Sequence, residues 1–466
     1  MAAAGLNGSG GPLSRPKAKR RSQQNARMTR RVRVQSMADF WSYDNLERIT
    51  GGQWLVEPDD DAPLASGLNH DSRQVRPGQV YLAVVGDNHD GHRFVDMAMQ
   101  KGAAAAIVSD EACYGPGPRL LVDNTVAALQ DLASAYRDVL AAAGCKVLAV
   151  CGSNGKTTTR HLLHHVLSAA GLIGTQSPKS FNNHLGVPLT LLAAEPDHDF
   201  VAAELGTNHP GEIAALGEIT WPDAAIITSI GQEHLEFFKT IDGVAMEEAA
   251  IMPFVRKGGI IATPAAAAQL MMPFYDVQEE VVLLPARDAE AVDGSFPLLG
   301  EHNRMNAALA LSVLRWWGRE VPRDVWQGLE PPAGRMHRRA FGQGVTLLDD
   351  SYNANPDSMR ASLEVLSMQP GDRRVAVLGE MRELGSAGPA AHAEVRELAG
   401  RLADEVVCLG EGFGAQPFGE QTAAAVAERL RPGDTVLIKA SRGMGLERII
   451  PAVEAKFGSA EVDRSI

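Results

Sequence analysis

Residues 146–158 read Lys146-Val147-Leu148-Ala149-Val150-Cys151-Gly152-Ser153-Asn154-Gly155-Lys156-Thr157-Thr158. The apolar run that opens this stretch is the signature of a strand buried on both faces. A glycine-rich turn follows it and a helix opens after the turn, which is the context a phosphate-binding loop requires. Gly152 and Gly155 let backbone N–H groups turn inward on phosphate oxygens, and the helix N-terminus adds its partial positive charge. Ser153, Asn154 and Thr158 complete the loop. Lys156 is placed to reach the β- and γ-phosphates of ATP, and the Thr157 hydroxyl to sit on Mg²⁺. The general pattern has a glycine where Val150 stands, so this is the shorter Gly-x-x-Gly-Lys-Thr form.

Working outward, Glu204 ends the apolar run 200–203, and His234 follows the run 226–231. In a doubly wound sheet the carboxyl ends of strands point into the ligand crevice. Lys156, Thr157, Glu204 and His234 at successive strand ends therefore read as a nucleotide and metal site. Strands alternate with helices from residue 145 to about 330, the pattern of a parallel sheet with helices on both faces. Before this block, residues 37–144 alternate short apolar runs with turns and end in a helical stretch, 125–143, stopped by Gly144. After it, Pro331-Pro332-Ala333-Gly334 breaks the chain, and residues 331–466 alternate strands and helices again. The expected fold class is thus α/β with three domains. The central one is a doubly wound P-loop ATPase, flanked by an α/β N-terminal domain and a Rossmann-like C-terminal one.

Composition agrees with several packed cores: of 466 residues, 45% are hydrophobic and 22% charged, with a formal net charge of −13. The first 36 residues differ, with nine Lys/Arg and no Asp or Glu; removing those nine charges takes the net charge from −13 to −22. This basic tail has no apolar periodicity and is expected to be disordered. It reads either as an arm for an anionic partner or as an extension upstream of a natural start at Met37. An acidic body argues against nucleic acid as the main partner. Cys113, Cys145, Cys151 and Cys408 form no Cys-x-x-Cys, which excludes a zinc knuckle and fits a reducing, cytoplasmic setting. No run approaches a membrane span.

Asp349-Asp350-Ser351-Tyr352-Asn353-Ala354-Asn355-Pro356 resembles the signature of the Mur ligases, in the form carried by the branch that adds D-alanyl-D-alanine. Other stretches agree, in the same order along the chain. They are Asp71-Ser72-Arg73, Asp90-Gly91-His92, the phosphate loop, Asn182-Asn183-His184-Leu185-Gly186, Glu204-Leu205-Gly206-Thr207-Asn208, His234-Leu235-Glu236, Gly300-Glu301-His302-Asn303, Gly334-Arg335, Leu378-Gly379-Glu380-Met381 and Lys439-Ala440-Ser441-Arg442-Gly443. The basic tail lies outside this resemblance.

The resemblance implies an ATP-dependent ligase of peptidoglycan synthesis that works through an acyl phosphate. Its substrates would be UDP-N-acetylmuramoyl-tripeptide and D-alanyl-D-alanine, and the enzyme would act as a monomer. By the same resemblance Ser72, Arg73, Asp90 and His92 would meet the uridine end of the substrate, and Asn182 and Asn183 the muramoyl-peptide. Asn303 would contact adenine, Arg335 the γ-phosphate, and Asp350 the nucleotide, with Tyr352 and Asn353 at the substrate. Closure is expected about hinges near Gly144 and Gly334. Many Mur ligases carry a carbamylated lysine as a metal-binding group after the His234-type motif. Here Glu248 falls on that position and is expected to supply the negative charge directly. A sister ligase adding the third residue, or a P-loop NTPase driving movement, are the competing readings.

Overall fold

The computed structural model describes residues 37–86, 89–276, 280–286, 292 and 294–459, so the basic tail lies outside the described residues. Each of its three sheets belongs to one segment of the chain. The first holds β1 (Gln53–Val56), β2 (Leu68–Asn69), β3 (Val80–Leu82), β4 (Ala105–Val108) and β5 (Arg119–Leu121), in the order β1-β5-β4-β3-β2. Only β1 runs antiparallel to its neighbour.

A long helix, α1 (Thr125–Ala142), then leads to the central sheet; the Asn124 side chain caps it by accepting from the Val126 and Ala127 N–H groups. The central strands are β6 (Lys146–Cys151), β7 (Gly174–Gln176), β8 (Phe200–Glu204), β9 (Ala224–Ile227), β10 (Ile260–Pro264) and β11 (Val282–Ala286). All are parallel, in the order β11-β10-β9-β6-β8-β7. The chain leaves β6 toward β7 on one side and later places β9 on the other. The carboxyl end of β6 is therefore the switch point where a doubly wound sheet opens its crevice. Residues 147–151 are buried without interruption, since helices cover both faces.

The third sheet holds β12 (His337–Ala340), β13 (Thr346–Asp349), β14 (Arg373–Leu378), β15 (Glu405–Cys408) and β16 (Asp434–Lys439), in the order β12-β13-β16-β14-β15 with only β12 antiparallel. This is the three-domain α/β architecture expected from the sequence. Among the described residues no helix is long and apolar enough to cross a membrane.

The two junctions differ in kind. Between the first and central domains one apolar core is shared: Phe40, Trp41, Leu129, Leu132 and Tyr136 pack with Leu191, Leu192, Val201 and Ile219. Arg137 of α1 is buried there and donates to the Thr220 carbonyl at 2.7 Å, the Trp221 carbonyl at 2.9 Å and Asp223 Oδ2 at 2.7 Å. The hinge expected near Gly144 is therefore bridged. Gly144 turns the chain at φ 86°, but shared apolar burial and a buried ion pair tie the two domains together. The central and third domains meet instead through polar contacts: Asn355 Nδ2 donates to Asn154 Oδ1 at 2.8 Å, and the Gln232 N–H donates to Asp357 Oδ2 at 2.8 Å. Such an interface, polar and short, is the kind about which domains move.

The buried pair gives a stability prediction. Asp223 also accepts the Val147 N–H at 2.9 Å, so Asp223→Ala strands both a buried guanidinium and the first strand of the central sheet. Losing one partner of a buried pair costs about 3–5 kcal/mol. The denaturation midpoint is expected to fall accordingly, and a loss below about 1 kcal/mol would refute the assignment.

Candidate active site

Gly152 leaves β6 at φ 115°, in the region that favours glycine. A Cβ at this position would stand 2.4 Å from Thr228 Oγ1 and 2.7 Å from the Thr228 nitrogen. The loop is held against the segment after β9: the Ser153 N–H donates to the Ser229 carbonyl, the Asn154 N–H to Ser229 Oγ at 2.9 Å, and the Gly231 N–H to Ser153 Oγ at 2.9 Å. Gly155, at φ 85°, then starts helix α2 (Lys156–Ala169). With its loop N–H groups and a 14-residue helix dipole behind them, this turn suits an anion.

Lys156 folds back on the loop, donating to the Gly152 carbonyl at 2.5 Å and the Ser153 carbonyl at 3.2 Å, with Glu233 Oε2 at 3.5 Å. Burial alone would lower its pKa, but the charges of Glu233, Glu248 and Glu204 together hold it raised. Burial pushes Glu233 itself up to about 8 despite Lys156. Thr157 Oγ1 donates to Glu204 Oε1 at 3.2 Å, and Asn182 Nδ2 donates to the same oxygen at 3.0 Å. Arg160 Nε lies 3.6 Å from the other oxygen, Glu204 Oε2. His234, at φ 47°, brings Nδ1 to 2.7 Å from Glu383 Oε2 of the third domain, a charge contact without the alignment of a hydrogen bond. Burial lowers the His234 pKa and Glu383 opposes that.

These groups face a cleft of about 580 Å³ between the central and third domains. The structure brings Ser153, Asn154, Gly155, Lys156, Asn182, Asn183, Glu204, His234, Arg335, Tyr352 and Asn353 to its walls. Arg335 stacks on Tyr352, its Cζ 4.3 Å from the ring centroid, and the Tyr352 hydroxyl meets Ser180 Oγ across the cleft. Asn183 has a local duty as well, its Oδ1 accepting from the Leu185 and Gly186 N–H groups at the start of the next helix. Thr157 and Thr158 are buried just behind the loop.

Other expected residues lie elsewhere. Asn303 is buried on the helix α3 (Glu301–Trp316), where its Nδ2 donates to the Leu299 carbonyl; Asn306, one turn on, packs against Gly155. Asp350 is turned into the third domain, accepting from the Met336 N–H, Ser362 Oγ and Lys439 Nζ. In the first domain Asp90 accepts from both the His92 N–H and His92 Nδ1, while His92 Nε2 accepts from the Ser109 N–H. Arg73 pairs with Asp71 at 2.8 Å, and Ser72 is buried beside Met97. None of these four lines the cleft. Sequence reading missed Arg160, Glu233 and Glu383. Glu383 lies only a few residues after Leu378-Gly379-Glu380-Met381, but no pattern in the chain pairs it with His234.

Family models match three consecutive parts of the chain. The Mur ligase family catalytic domain covers residues 65–137, the Mur ligase middle domain 150–283, and the Mur ligase glutamate ligase domain 334–442. A UDP-N-acetylmuramoyl-tripeptide–D-alanyl-D-alanine ligase from Synechocystis sp. is 32% identical over 83% of this chain and 91% of its own. The chain belongs to the Mur ligase family. The Bacillus subtilis ligase of the same name is 30% identical, covering 85% of this Mur ligase and 94% of its own length. Among solved structures, MurF from Acinetobacter baumannii superposes with a TM-score of 0.76 at 27% identity, covering 89% and 99% of the two chains. MurF from Thermotoga maritima in complex with ADP gives 0.73 at 28% identity, covering 84% and 98%.

The donor set of this Mur ligase suits a divalent cation. Glu204 Oε2, Glu233 Oε1 and Glu248 Oε1 are buried without hydrogen-bond partners, and hard oxygen donors of this kind match Mg²⁺. Glu248 is fully buried beneath the loop; its Oε2 accepts the Gly152 N–H at 2.7 Å. One oxygen therefore braces the loop while the other stays unpaired.

Proposed function

We infer that this Mur ligase joins D-alanyl-D-alanine to UDP-N-acetylmuramoyl-tripeptide at the expense of ATP. The observation that carries the reading is the agreement along nearly the whole chain with relatives named for that reaction, joined to a phosphate loop facing a polar interdomain cleft. A carboxylate is a poor acyl donor because its leaving group would be oxide. ATP turns the peptide carboxylate into an acyl phosphate, and the dipeptide amine attacks it with loss of phosphate. The transfer is chiefly a matter of positioning and charge.

In our reading the loop 152–158 holds the ATP phosphates, with Lys156 and Arg335 on the γ-phosphate. Mg²⁺, when bound by Thr157, Glu204 and His234 with charge from Glu248, screens the phosphate oxygens. Asn303 and Asp350 are assigned to the nucleotide, Asn182, Asn183, Tyr352 and Asn353 to the peptide end of the substrate. Ser72, Arg73, Asp90 and His92 are assigned to its uridine diphosphate end, in the first of three domains that divide near residues 144 and 330. Acyl phosphates hydrolyse, so the cleft must shut before one forms. The polar junction at Gly334 fits that motion, and Tyr352 against Ser180 and Arg335 is part of the seal. We place the reaction in the cytoplasm, by a monomer.

The test is phosphate release with ATP and Mg²⁺, omitting UDP-N-acetylmuramoyl-tripeptide or D-alanyl-D-alanine in turn. Release that requires both, with a product heavier by the dipeptide less water, is the expected result. Release indifferent to both substrates would replace the ligase reading by that of an NTPase.

A further inference from the structure

The third domain offers the cleft the loops at the carboxyl ends of three parallel neighbours, β13, β16 and β14. They supply Asn353, Arg442 and Arg382 among the lining residues. The two walls have opposite character. The central wall is rich in carboxylates, among them Glu204, Glu212 and Glu233, while the loops after β14 and β16 bring two arginines. Those arginines flank Gly443. A Cβ at Gly443 would stand 2.2 Å from Arg382 Nη1, so the guanidinium lies over the space that glycine leaves open.

Neither fork is spent. Arg382 makes no side-chain hydrogen bond among the described residues, and its nearest carboxylate, Glu380, is 3.7 Å away and already accepts from the Gly412 N–H. Arg442 gives one nitrogen to Glu447 at 2.9 Å and rests 5.3 Å from the Tyr352 ring centroid, leaving its remaining donors free for a ligand. A pair of planar cations with open forks beside a polar cleft is suited to a carboxylate, which guanidinium binds with two parallel hydrogen bonds.

The acceptor in the reaction inferred above carries an amine at one end and a carboxylate at the other. Its amine must approach the acyl phosphate near Lys156, on the carboxylate-lined side. We propose that Arg382 and Arg442 bind the terminal carboxylate of the incoming dipeptide and so select a free acid with its amine pointed at the phosphate loop. This rests on the ligase reading. It adds the residues that recognise the acceptor and predicts that a dipeptide with a blocked C-terminus is a poor substrate.

The experiment compares D-alanyl-D-alanine with D-alanyl-D-alaninamide in the wild-type enzyme, in Arg382→Ala, in Arg442→Ala and in the double variant. Wild-type turnover with the free dipeptide checks the ligase reading first and independently. A charged hydrogen bond lost at each arginine predicts a KM for the dipeptide raised roughly tenfold or more in each single variant. The KM for ATP should stay within about twofold, a change too small to signal a lost bond. In the double variant the wild-type preference for the free acid over the amide should vanish. Gly443→Ala, which pushes Arg382 aside without removing its charge, should show a smaller rise of the same kind. If the double variant still prefers the free acid as strongly as wild type, or if the wild type uses the amide equally well, the proposal is wrong. A ligase inactive with both dipeptides in wild type would instead refute the reading beneath it.

Discussion

Replacing Lys156 with methionine is expected to lower the rate of dipeptide ligation by roughly a thousandfold. The ammonium is the one cation at the mouth of the phosphate loop whose Nζ lies against the loop carbonyls, 2.5 Å from Gly152 and 3.2 Å from Ser153. Three carboxylates, Glu233, Glu248 and Glu204, hold it charged inside the protein. When the γ-phosphoryl group moves, that charge is available without rearrangement of solvent, which is why its loss acts on the rate more than on binding. Methionine keeps the aliphatic stem and removes only the charge. Single-turnover formation of the ligated product, followed by mass, is the measurement, with a denaturation curve to show that the variant is folded. A rate within tenfold of wild type would remove Lys156 from the mechanism.

The second large effect is expected at Glu248, and two substitutions separate its two duties. Glu248→Ala deletes the acceptor of the Gly152 N–H and opens a cavity under the loop. Orphaning a buried donor costs about 1–3 kcal/mol, so both stability and ATP binding should suffer. Glu248→Gln keeps an acceptor oxygen of the same reach for Gly152 but abolishes the charge. If Glu248 stands in for the carbamylated lysine of its relatives, the glutamine variant should fold as wild type and need roughly tenfold more Mg²⁺ for half-maximal rate. A glutamine variant with an unchanged Mg²⁺ requirement would leave Glu248 as a brace for the loop alone. Its other oxygen, buried and unpaired, is the reason to expect more.

Much of this arrangement was legible in the sequence. The strand β6, the loop and α2 followed from one apolar run, two glycines and a Lys-Thr pair, because the conformations they require are local and few residues satisfy them. Glu204 and His234 could be placed at strand ends for the same reason, since apolar runs mark strands and parallel order puts their carboxyl ends on one edge. The stretch 125–143, predicted helical, is the helix Thr125–Ala142. Local chemistry also identified Arg335 and Tyr352 as neighbours of the break at Gly334.

The tertiary structure alone decided the rest. Periodicity gives α1 an apolar face but does not say that two domains would share it, so the junction at Gly144 read as a hinge when it is bridged by Arg137 and Asp223. Polarity alone suggested an open role for Asp350, yet Lys439, Ser362 and Met336 take its oxygens inside the third domain. Asp90 and His92 are likewise occupied with each other and with Ser109. Glu383 meets His234 across the interface, 149 positions away in sequence with no pattern linking them. Contacts of that kind arise from the packing of whole domains, in which any surface residue is a candidate partner. A single chain therefore records which residues can hold a phosphate, while the fold determines which carboxylates and arginines face it.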